Sequence, residues 1–78
     1  MSIREENIMQ FNQFCKNVKM LRERRGISVK ELSQQSGVSE YIIKNLENEI
    51  IGKRVNVNHL FELCDYFNIE PKNIFLPL

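Results

Sequence analysis

The chain has 78 residues, with 11 lysines and arginines against 10 acidic residues, a formal net charge of +1 and two cysteines. That length allows one domain around a single small core; with no apolar run long enough for a bilayer and no secretory-type leader, a reducing cytoplasm is the expected home. Near-neutrality gives no general attraction to polyanions, but residues 16–54 hold nine cations against five anions while the flanks hold two against five.

Residues 1–8 show no firm periodicity and are expected to form a mobile N-terminal arm, leaving 9–78 as the folded domain. Phe11, Phe14, Cys15, Val18 and Leu21 then recur at three- and four-residue steps, which predicts a first helix ending near Arg25 and Gly26. Ser28 and Glu31 have the spacing of a reciprocal capping box, opening a second helix over about 29–35 that buries Leu32 beside the small Ser33. Gly37 supplies the left-handed residue that ends it, and Ser39 caps a third helix over about 40–48 that buries Ile43 and Leu46, with Val38 packed at the turn.

After a connection over 49–55, Asn56 caps a fourth helix that ends near Asn68. Its expected inward positions are Val57, Leu60, Phe61, Cys64 and Phe67. Glu70-Pro71 restarts the chain as a short fifth helix, with Ile74 and Phe75 closing the core. Strand patterns, repeats and glycine-rich phosphate loops are absent from the sequence, so the expected fold is all-α, a compact five-helix bundle. Ile50 and Ile51 have two open readings, packing under helix 4 or forming an exposed contact surface.

Two short capped helices joined by a glycine turn form the grammar of a helix-turn-helix, whose second helix presents its N-terminal residues to base edges in the major groove. Side chains able to do so lie opposite Ile43 and Leu46: Glu40, Tyr41, Lys44 and Asn45. Asn45 suits adenine as a bidentate partner, Glu40 accepts from a cytosine amino group, and Tyr41 reaches a thymine methyl or a phosphate. The start of helix 2, with the N–H groups of Val29 and Lys30 and the Lys30 ammonium, suits a backbone phosphate.

The phrase LRERRGISVKELSQQSGVSEYIIKNLEN, with the helices after it, resembles the XRE-type, Cro- and phage-repressor-like DNA-binding domains over about residues 14–75. The resemblance implies a lambda-repressor-like five-helix domain that binds operator DNA, usually as a homodimer. It places Glu40, Tyr41 and Asn45 at base-contacting positions and Ser39 and Lys44 at the groove edge. Lys53 and Arg54 fall where relatives contact phosphates, and Arg22 and Glu47 correspond to a salt bridge that ties helix 1 to helix 3. Relatives usually carry glycine just after the recognition helix, where this chain has Asn48-Glu49, so Asn48 is expected to take the left-handed conformation.

The resulting expectation is a small transcriptional regulator, a repressor, that needs no cofactor or metal and binds double-stranded DNA. Its dimerisation would rest on the apolar end Ile74-Phe75-Leu76-Pro77-Leu78, and no membrane or small-molecule partner is expected. Catalysis is not expected: the one histidine, His59, has no nucleophile pattern near it, and Cys15 and Cys64 read as buried thiols. The competing reading is a protein-interaction module of the same fold with little DNA affinity, docking through Ile50, Ile51 and the tail.

Overall fold

Twelve apolar side chains, spread over every segment from Phe14 to Ile74, meet in one buried cluster. They do so in a computed structural model that describes the backbone of residues 5–50 and 55–78, and the side chains of these from residue 10 onward. The elements are α1 (Glu5–Arg24), α2 (Val29–Ser36), α3 (Glu40–Glu47) and α4 (Val57–Phe67), followed by a single 3₁₀ turn over Pro71–Asn73. Helical backbone therefore begins inside the stretch expected to be an arm, and residues 1–4 of that stretch lie outside the described residues.

The expected five-helix count is not met. Pro71 does start a turn, but Pro77 has no N–H to return to the carbonyl of Asn73, which instead accepts from Leu76 N at 3.1 Å. The side chain of Asn17 also captures carbonyls that a longer helix would use. Its Nδ2 donates to the carbonyl oxygens of Ile74 at 2.6 Å and Leu76 at 2.7 Å, and its Oδ1 accepts from Gln13 Nε2 at 2.9 Å. Asn17 is buried, and its amide fixes the tail against α1.

Local signals explain where α2 and α3 begin and end. Glu31 N donates to Ser28 Oγ at 3.0 Å while Ser28 N donates to Glu31 Oε1 at 3.2 Å, closing the capping box. Gly37 has φ +86°, and its N–H donates to Ser33 O at 3.0 Å. Ser39 Oγ accepts from Ile42 N at 3.3 Å, so α3 leaves the turn capped.

Two features, the ending of α3 and the facing of α4, depart from expectation. Asn48 has φ −94°, and Glu49, at φ +58°, takes the left-handed conformation. Glu49 N donates to Leu46 O at 2.9 Å and Ile50 N to Asn45 O at 2.8 Å, the paired bonds of a Schellman ending with Glu49 in the glycine position. On α4 the inward stripe is Leu60, Leu63, Cys64 and Phe67, while Val57 and Phe61 are 60% and 50% exposed. Phe61 follows Leu60 by about 100° around the helix, which carries it off the buried face.

Candidate nucleic-acid interface

The recognition unit begins with how α3 is held. Ile42, Ile43 and Leu46 are all buried on one side of the helix, and Ile42 joins the two residues that periodicity singles out. The eight-residue α3 packs against both α2 and α1. An amphipathic helix so short draws its stability from that packing rather than from propensity.

A guanidinium fork fixes its far end. Arg22 Nε lies 2.6 Å from Glu47 Oε2 and Nη2 lies 2.8 Å from Oε1, while Nη1 donates to Ile27 O at 2.8 Å. Arg22 thus bonds α1 at once to α3 and to the turn entering α2. The two side chains are only 16% and 8% exposed, so the pair is largely withdrawn from water. Hydrogen bonding to Glu47 raises the Arg22 pKa further and keeps the guanidinium charged.

With the apolar side turned inward, Glu40, Tyr41 and Lys44 are exposed and Asn45 is half-buried on the outward side. Lys30 is exposed at the start of α2 and Val29 half-buried beside it; the backbone N–H groups of a first helical turn have no intrahelical acceptor. Ser39 is exposed, and its hydroxyl oxygen serves the cap, which leaves its O–H as a donor. Lys53 and Arg54 lie outside the described residues, as does Ile51. Ile50 is 50% exposed.

A second set of contacts, not singled out by periodicity, locks the ends of α1, α2 and α4 together. The Arg25 guanidinium sits 4.7 Å from the Tyr66 ring centroid and 5.2 Å from that of Phe67, and the Tyr66 hydroxyl bonds Gln35 Oε1. Asn17 escapes sequence reading for a related reason. Its one signal is position, a polar residue three after Phe14 and four before Leu21 on a helix whose other members of that face are apolar.

The remaining candidates for chemistry have local roles. His59 Nδ1 accepts from Asn56 N at 3.1 Å, completing a reciprocal cap on α4 with Asn56 Oδ1, which accepts from Asn58 N at 2.9 Å. Cys15 and Cys64 are buried free thiols. Burial, with a contribution from the Glu49 charge, pushes Cys15 up to about 12, and burial also raises Cys64. Among the described residues no three His, Cys, Asp or Glu side chains cluster as a metal site, and no helix is long and apolar enough to cross a membrane.

The sequence model of the Cro/C1-type HTH DNA-binding domain matches residues 17–75. Comparison with curated proteins and with solved structures gives no significant match. The matched span contains α2, the glycine turn, α3 and the Arg22–Glu47 fork, and the chain belongs to the Cro/C1-type helix-turn-helix DNA-binding family.

Proposed function

We propose that this member of the Cro/C1-type family is a small transcriptional repressor that recognises a specific duplex DNA site by laying α3 in the major groove. The observation that carries the reading is the division of α3, with Ile42, Ile43 and Leu46 buried and Glu40, Tyr41 and Lys44 exposed at its first turns. A helix so oriented offers side chains to base edges without disturbing the core. Glu40, Tyr41, Lys44 and Asn45 are assigned to bases. The N–H groups of Val29 and Lys30, the Lys30 ammonium, Ser39, Lys53 and Arg54 are assigned to phosphates.

The protein acts in the cytoplasm as a homodimer in this reading. One module of this size buries too little surface for tight recognition of a site. The tail supports pairing in part: Ile74 is buried in the core, whereas Leu76 and Leu78 are 54% and 43% exposed. Apolar side chains displayed at one end favour a contact between copies.

Selection of duplexes from a random pool by the purified protein tests the reading. A shared palindromic motif is the expected result. If no motif is enriched and binding vanishes at physiological salt, DNA becomes a non-specific ligand, and the protein-interaction reading takes its place.

A further inference from the structure

The outward faces of α1 and α4 carry opposite charges around an apolar centre. On α4 and the turn after it, Phe61, Ile69 and Pro71 line a groove of about 390 Å³ together with the carboxylates of Glu62 and Asp65. Among the described residues the ion pairs are Arg22–Glu47 and Lys72–Glu70, so neither Glu62 nor Asp65 has a cation of its own there. On α1, Lys16, Lys19 and Arg24 surround Met20 along a groove of about 430 Å³ in which Glu23 is the acidic member.

Pairing either face with its own copy sets carboxylates against carboxylates or ammonium groups against ammonium groups, which opposes association. Pairing the unlike faces neutralises both. It also covers the exposed Phe61 with the thioether of Met20, a side chain that adapts to an irregular apolar partner.

We propose that α4 of one copy docks on α1 of a second copy, with Phe61 beside Met20 and with Glu62 and Asp65 facing Lys16 and Lys19. The contact is heterologous, so each copy keeps one unused face, the pair keeps one of each kind, and further copies add in the same sense. No residue assigned to DNA belongs to either face, and the contact is distinct from the exposed leucines of the tail.

Sedimentation velocity of the full chain without DNA, at about 50 mM and about 500 mM salt, tests the proposal. The expected result is a mass that rises with protein concentration at low salt and falls back when salt is raised. A pairing through the apolar tail keeps its strength in salt, which separates the two contacts. E62K/D65K and K16E/K19E should each weaken the salt-sensitive step at least about tenfold, and an equal mixture of the two should restore it. Phe61→Ser should weaken the same step, with circular dichroism showing the fold retained.

The proposal is overturned by a mass that does not respond to salt, by charge reversals that leave association unchanged, or by a mixture that fails to restore it. These readings need no DNA, so their failure is separate from failure of the recognition reading.

Discussion

Glu49 holds a left-handed conformation that costs an L-residue roughly 1–2 kcal/mol and a glycine nothing sterically. Glu49→Gly should therefore stabilise the fold by about 1 kcal/mol, somewhat less if the unfolded chain gains freedom, as thermal unfolding would measure. The sequence shows that a left-handed residue is needed after α3 but not which one. A single-residue difference in where α3 stops moves the requirement from Asn48 to Glu49, and the bond from Ile50 N to Asn45 O decides it. Cys15 makes a second residue-scale prediction. Between its ordinary 9.0 and about 12 the unfolded chain releases the thiol proton while the folded chain keeps it. Its contribution to stability is thus whole below pH 9 and declines above it, by about 1.4 kcal/mol per pH unit. Denaturant unfolding of Cys15→Ala should show a correspondingly shallower loss from pH 9 to pH 11 than the parent protein, whatever its stability at neutral pH.

At the scale of elements, the recognition unit depends on two devices that act at opposite ends of α3: the Ser39 cap at its start and the Arg22 fork at its finish. A lysine at position 22 keeps the charge but loses the planar fork and the bond to Ile27 O. Arg22→Lys should lower stability by about 1–3 kcal/mol and weaken DNA binding while helix content stays near the parent's. Equal melting temperature and equal affinity would show that the fork does not orient α3. The start and end of α2 and the start of α3 are legible in the sequence because Ser28, Gly37 and Ser39 each bond a partner three or four residues away. The facing of α4 is less legible. Val57, Leu60, Phe61, Cys64 and Phe67 all fit helical spacing, and only the packing against α2 and the 3₁₀ turn selects Leu63 for the core and leaves Phe61 outside.

For the whole molecule, a long-range polar contact binds the tail to α1. Asn17 lies 57 residues from Ile74, and no local pattern can reveal that pairing. Asn17→Ala leaves two carbonyls without their donor and should cost about 2–3 kcal/mol, with proteolysis cutting the tail after Ile74 faster than in the parent. The contrast between the basic stretch 16–54 and the acidic flanks is visible in the sequence as charge counts, whereas the placement of opposite charges around Phe61 on α4 and Met20 on α1 emerges only from the folded chain. These contacts together hold α3 outward, as the proposed recognition of DNA requires. The most direct test is the affinity of the parent protein and of Asn45→Ala for a selected duplex and for a scrambled one of equal length, at physiological salt. The parent should prefer the selected duplex by about a thousandfold or more. Asn45→Ala should lose about 1–3 kcal/mol on the selected duplex while binding the scrambled one as before. Equal affinity of the parent for both duplexes would contradict the claim.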